Sequence, residues 1–186
     1  MTALLLPKPL QRILVTGPIH NKIEKLIDLQ SNYDWIIVNG GLDYSNNWQL
    51  IKQLSKCIYV AGRNDLLLMT QTQNFEIVDW VRACYNVVVA DFPDRTALVM
   101  DGGIPPEVQT RSQLVDNLEL SFVSYLDNKP WQLSYNGGLG YVISNNPFTK
   151  NPPHYFNYSM QLGSLETDKV YAQEVDGIGL KATILL

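Results

Sequence analysis

The sequence predicts an α/β chain of two mixed β-sheets packed face to face, with helices on the outside, and three observations carry that prediction. Short β-branched apolar runs recur at Arg12–Thr16, Trp35–Asn39 and Cys57–Ala61, each ending at a polar or glycine-rich corner. Segments with apolar residues at helical spacing lie between them. After Trp80 the pattern changes to a succession of strands. Rounds of strand and helix followed by mixed strands describe two packed sheets rather than one open sheet.

RILVT at Arg12–Thr16 stops at Gly17-Pro18, and His20–Gln30 follows with Ile23, Leu26, Ile27 and Leu29 at helical spacing. WIIVN at Trp35–Asn39 stops at Gly40-Gly41, and Trp48–Ser55 supplies a second helix through Trp48, Leu50, Ile51 and Leu54. CIYVA at Cys57–Ala61 ends at Gly62. None of the three runs alternates with polar residues, as expected of parallel strands covered on both faces. Beyond Trp80, strands are predicted at Val87–Ala90, Thr96–Met100, Gly140–Ser144, Tyr155–Gln161, Lys169–Val175 and Gly179–Leu185, with one helix over Ser112–Leu126. The last two strands meet at Asp176-Gly177, a hairpin signal. No internal repeat of fixed period interrupts the chain. Residues 1–186 therefore read as one domain, with 1–11 as an N-terminal extension and 168–186 as a terminal hairpin.

Composition bounds the function. A chain of 186 residues buries about 70% of its unfolded surface. With 46% hydrophobic and 17% charged residues, it is globular rather than disordered. A net charge of −4 and the lack of any Lys/Arg run exclude the electrostatic footprint of a nucleic-acid or anionic-membrane binder. The only cysteines, Cys57 and Cys84, have no CxxC spacing and read as two buried, reduced thiols rather than a disulfide or a thiolate metal site. MTALLLPKPL lacks the apolar core and cleavage site of a signal peptide. No stretch approaches the ~20 apolar residues of a membrane span. A soluble, cytoplasmic protein is expected.

In open α/β sheets chemistry collects at the carboxyl ends of strands. Here those corners form a series: Thr16-Gly17-Pro18-Ile19-His20, then Val38-Asn39-Gly40-Gly41-Leu42-Asp43, then Ala61-Gly62-Arg63-Asn64-Asp65, then Met100-Asp101-Gly102-Gly103-Ile104-Pro105-Pro106, then Ile143-Ser144-Asn145-Asn146-Pro147. In order and spacing the series resembles the five signature blocks of the calcineurin-like metallophosphoesterases, in the branch of serine/threonine phosphatases and small bacterial and phage phosphatases. Those blocks are GDxHG, GDxxDRG, GNHD or GNHE, HGGxxP and GHTP. The resemblance spans residues 12–186, and no block is intact.

The resemblance implies an αββα sandwich and, in an active member, two metal ions about 3.5–4 Å apart bridged by a carboxylate. Carried over residue by residue, it leaves an uneven site. His20 keeps the first block's histidine, but Pro18 stands at its aspartate. Gly41 stands where the bridging aspartate belongs, and without that carboxylate two cations repel each other. Arg63 replaces the metal-binding asparagine and has no lone pair to donate. Asn64 replaces the general-acid histidine and delivers no proton near neutral pH. Asp65, which would orient that histidine, remains. Asp101 stands in for a ligand histidine, and Asn145 or Asn146, depending on how Pro147 aligns, stands in for another. Asp43 lies one position out of register.

His20, Asp43 and Asp101 are thus the vestigial metal ligands. The expectation is no cofactor, or at most one weakly bound divalent cation keeping several waters. The Arg63 guanidinium is expected in the place of a metal, paired with Asp65, Asp101 or both, since unpaired buried acids are costly. It is also the candidate anion site.

Each residue also has a plainer reading. His20 serves as a helix-start histidine, Asp43 caps the helix holding Trp48, Asp65 N-caps a helix through Leu66–Met69, and Asp101 shapes a turn. His154 falls in the proline-rich loop Lys150–His154 and reads as exposed. Trp35, Trp48, Trp80 and Trp131 read as core. Of ten tyrosines, the late group Tyr135, Tyr141, Tyr155, Tyr158 and Tyr171 either packs the strands or lines a protein contact surface.

The function expected is that of a catalytically inactive metallophosphoesterase-fold protein acting through protein or ligand contacts, with an unknown protein partner and neither nucleic acid nor membrane. The alternative is a divergent metal-dependent phosphoesterase with a reduced metal site, using His20, Asp43, Asp65 and Asp101. A third reading is a plain α/β binding domain whose corners mimic the blocks, and a structure without a two-sheet sandwich would favour it.

Overall fold

A computed structural model describes residues 2–19, 22–41, 47–118, 125–126, 129–145, 152–163 and 169–186. The three apolar runs form β2 (Arg12–Thr16), β3 (Trp35–Asn39) and β4 (Cys57–Val60), and pair in parallel as their continuous burial requires. Helix α1 (Ile23–Leu29) joins the first two and α2 (Asn47–Gln53) the next two. Antiparallel β12 (Tyr171–Asp176) adds beside β2, and β13 (Leu180–Leu185) beside β12, giving a five-stranded sheet in the order β13-β12-β2-β3-β4. The hairpin turns where Asp176 Oδ1 accepts the N–H groups of Ile178 (2.7 Å) and Gly179 (3.0 Å), so the Asp-Gly signal works through the aspartate side chain.

The second sheet has six strands. β5 (Val87–Asp91) and β6 (Thr96–Met100) are antiparallel, β9 (Tyr141–Ser144) lies parallel to β6, and β11 (Ser159–Gln161) parallel to β9. β1 (Ala3–Leu5) and β10 (His154–Tyr155) are the edges. A two-stranded ribbon, β7 (Tyr125–Leu126) with β8 (Lys129–Pro130), stands apart.

Strand alternation assigns each side chain to a layer. Ile13, Val15, Ile37, Ile58 and Val60 meet Val88, Ala90, Ala97, Val99, Ile143 and Met160 between the sheets. Leu14, Ile36, Val38 and Tyr59 turn the other way, onto Ile23, Leu26, Ile51 and Val81 of the helices. Val87, Leu98, Met100 and Val142 face outward on the second sheet, under Leu114, Trp131 and Tyr135. This is the helix–sheet–sheet–helix layering expected from the sequence. Each buried Leu, Ile or Val in these layers contributes about 1.5–3 kcal/mol from lost water contact.

Several expectations need correction. The helix predicted over Ser112–Leu126 is the short α5 (Arg111–Asp116); Tyr125 and Leu126 are strand, and 119–124 lie outside the described residues. α5 starts on a capping box, Thr110 Oγ1 accepting from Gln113 N–H while Gln113 Oε1 accepts from Thr110 N–H. Tyr155–Gln161 is not one strand but the hairpin of β10 and β11, closed where Phe156 N–H bonds Ser159 O at 2.8 Å. His154 is half-buried in β10, its ring edge-on to Phe156 at 4.7 Å. The first residues, expected as an extension, carry β1 into the six-stranded sheet beside β5. Two helices follow β4 in succession, α3 (Arg63–Gln71) and α4 (Phe75–Ala83).

Candidate functional site

The carboxyl ends of β3 and β4 in one sheet and of β6 and β9 in the other converge at one edge of the sandwich. Asn39, fully buried at the end of β3, ties them together: its Nδ2 donates to Met100 O (2.8 Å) and Ile143 O (3.4 Å) across the sheet interface. Sequence reasoning missed this residue. Its signal is a polar side chain closing an otherwise apolar run just before Gly40-Gly41.

At the centre of this edge stands Asp101. Its Oδ2 accepts the main-chain N–H of Arg63 (2.9 Å) and its Oδ1 accepts Asn145 Nδ2 (3.2 Å), while Asn145 N–H bonds Asp101 O (3.0 Å). Gly40 and Gly62 let the carboxylate come this close, because a Cβ on either would lie 3.1 Å or 2.8 Å from Oδ1. Arg63 is the first residue of α3, so Asp101 fills the anion position at that helix's amino end. Burial pushes the Asp101 carboxyl above its ordinary value, with the Arg63 N–H, the Asn145 amide and, last, the Arg63 charge pulling it back down.

The guanidinium is therefore not where the sequence places it. The Arg63 side chain is exposed, and its main chain makes the bond to Asp101. Asp65 is fully buried and held from elsewhere: its Oδ2 accepts Tyr59 O–H (2.9 Å) and Gly62 N–H (2.7 Å). Gly62 is the N-cap and Asp65 the third helical residue reaching back, so the expected N-cap is shifted by three residues. Asn64 is exposed on the same first turn.

Elsewhere on this edge Pro18 and Gly41 meet carbon to carbon. Gly41 adopts φ +71°, and a Cβ there would lie 2.3 Å from Pro18 Cβ. The position matching a bridging aspartate and the position matching its neighbouring aspartate thus press on one another, and the proline ring takes the space a side chain at 41 would need. His20, Asp43, Asn146 and Pro147 lie outside the described residues. Asn145, one of the two asparagines considered, is bonded to Asp101.

The donors at the described positions do not fit a dinuclear metal centre. Pro18 and Gly41 offer no side-chain ligand atom and Arg63 presents an N–H, which leaves Asp101 as the one carboxylate at these positions. Among the described residues no three His, Cys, Asp or Glu come together. The buried Oδ1 atoms of Asn39 and Asn145 are acceptors with no hydrogen-bond partner among the described residues, the nearest approach to a ligand set here.

No family model matches the chain, and no curated protein matches it. Solved structures do. A putative diadenosine tetraphosphatase superposes with a TM-score of 0.70 at 15% identity, covering 98% of this chain and 97% of the other. A Pyrococcus horikoshii hypothetical protein gives 0.62 at 14% identity over 94% and 87%. An archaeal phosphodiesterase gives 0.56 at 14% identity over 94% and 99%. The fold is that of the metallophosphoesterases. The two-sheet sandwich, whose absence would have favoured a plain α/β domain with corners that mimic the blocks, is present. Among the described residues no helix is long and apolar enough to cross a membrane.

Proposed function

We propose that the chain is a non-catalytic metallophosphoesterase-fold protein that works by binding a protein or ligand in the cytoplasm, with neither nucleic acid nor membrane as partner. One observation carries this reading: Pro18 packs against Gly41 in the space a bridging carboxylate would occupy. Two cations at this edge would lack their shared ligand, and their repulsion at short range would go unscreened. The Arg63 N–H and Asn145 amide that hold Asp101 support it, since each of its oxygens takes a hydrogen bond from the protein itself.

The test is hydrolysis of p-nitrophenyl phosphate and bis-p-nitrophenyl phosphate with Mn²⁺ or Mg²⁺ supplied. The expected rate equals that of buffer with metal. A rate well above it, lost in Asp101→Ala, overturns the reading in favour of a divergent metal-dependent phosphoesterase. That second reading draws its support from the neighbours described as a diadenosine tetraphosphatase and a phosphodiesterase.

A further inference from the structure

A second feature lies away from this edge. Cys57 and Ile58 open β4, while the strand-end site lies beyond its last residue, Val60; at that opening is a cavity of about 430 Å³. It falls between the β1 segment, β4 and helices α2 and α4. Its size falls within the ~300–1,000 Å³ range of small-molecule pockets.

The wall is aromatic. Trp35, Trp80 and Tyr85 all line the cavity, and all three are only half-buried although each packs against one of the cores. Trp80 is tilted at 45° against Tyr59, 5.0 Å between ring centres, so the wall already contains the kind of ring pair that a further ring could extend.

The wall also offers a charged ligand no free counter-charge among the described residues. Lys52 is the one formally charged side chain in the lining, and it is already engaged within the protein. The nearby Asp65 carboxylate is buried and takes hydrogen bonds from the Tyr59 hydroxyl and the Gly62 N–H. Both charges are felt at the Cys84 thiol, Asp65 raising its pKa more than Lys52 lowers it, but burial is the largest cause and pushes Cys57 and Cys84 alike up to about 12. Both thiols are therefore neutral near pH 7. An ion of either sign entering here would give up water without gaining a partner, whereas a neutral apolar molecule would not.

We propose that this cavity binds a small, neutral, planar aromatic molecule against Trp35, Trp80 and Tyr85. The inference goes beyond the non-catalytic reading above and does not rest on it, because an active hydrolase would carry the same cavity.

The test uses the full chain with N-phenyl-1-naphthylamine, a neutral aromatic probe whose emission rises when it leaves water. Indole, tryptamine and indole-3-acetate then compete with it, carrying one ring system in uncharged, cationic and anionic form. Saturable probe binding at one site per chain is expected, with indole displacing the probe about tenfold more tightly than either charged relative. Trp80→Leu, which keeps the wall apolar but removes a ring, is expected to weaken the probe about fivefold. Ala83→Phe, at an exposed position of the lining, is expected to abolish binding, with circular dichroism checking that both variants fold. Absence of saturable binding to the wild-type chain, tighter displacement by tryptamine or indole-3-acetate than by indole, or wild-type affinity in either folded variant overturns the proposal. None of these results bears on hydrolysis or metal content, so failure here stays separate from failure of the non-catalytic reading.

Discussion

Asp91 and Asp101 stand at opposite ends of the same antiparallel pair, Asp91 facing Thr96 where β6 begins and Asp101 just past Met100 where it ends. Their surroundings shift the two carboxyls in opposite directions from the ordinary value. Asp91 accepts both arms of the Arg111 guanidinium (2.9 and 2.5 Å) and Thr96 Oγ1, and Arg111 holds its carboxyl below the ordinary value. Among the described residues Asp101 accepts amide N–H groups alone, and burial raises it. One end of the strand pair meets an acid with a cation. The other, at the position where the fold's enzymes would use metal, meets it with neutral donors. Among the described residues no cation bonds this carboxylate directly, and the Arg63 charge acts on it only from a distance; α3 begins at it and Asn145 reaches it.

Adding a second acid to the Asp101 end should do the most damage. Gly41→Asp places a side chain against Pro18 at φ +71° and a charge near Asp101, and is expected to cost about 3 kcal/mol by urea denaturation. Pro18→Ala in the same chain should recover part of that loss, a non-additivity that measures the contact. Next comes Asp101→Ala, which leaves the Arg63 N–H and the Asn145 amide without their acceptor, at about 2 kcal/mol.

A pair of variants at position 63 separates main chain from side chain. Arg63→Pro removes the N–H where proline suits a helix start, with Gly62 already extended at ψ 173°, and should cost about 1 kcal/mol. Arg63→Ala should change stability by less than about 0.5 kcal/mol. Equal losses would restore the guanidinium to the role the sequence suggested.

Arg111→Ala should cost about 1 kcal/mol or less, and less still at high salt, because the pair is half-exposed. The pH dependences should oppose each other. The Asp91 contribution is present above the unfolded value of 3.8 and is lost as pH falls through the lower folded value. Asp101 binds its proton more tightly folded than unfolded, so wild-type stability relative to Asp101→Asn should fall as pH rises from 3.8 through the folded value.

What the sequence revealed divides along the same physical line. Runs such as RILVT and WIIVN announce buried strands because the hydrophobic effect acts on every residue of the run, and their glycine corners mark where those strands end. Asp101 was placed correctly at such a corner. Its partners were not, because a main-chain N–H carries no side-chain signal and Arg63 drew attention through its charge. The Pro18–Gly41 contact joins residues 23 positions apart through a φ that sequence alone does not fix. The helix predicted to end near Leu126 ran on because apolar residues past Asp116 keep a helical rhythm, whereas Tyr125 and Leu126 belong to the β7–β8 ribbon. β1 was lost among the residues treated as an extension, since three residues with one-sided partnering leave almost no pattern.

The claim that this edge has given up its dinuclear centre is tested most directly by counting metal. The chain, purified, equilibrated with Mn²⁺ and passed through gel filtration, would be measured by elemental analysis. No more than one ion per chain, removed by dilution or a weak chelator, is the result expected; two tightly held ions per chain would contradict the account.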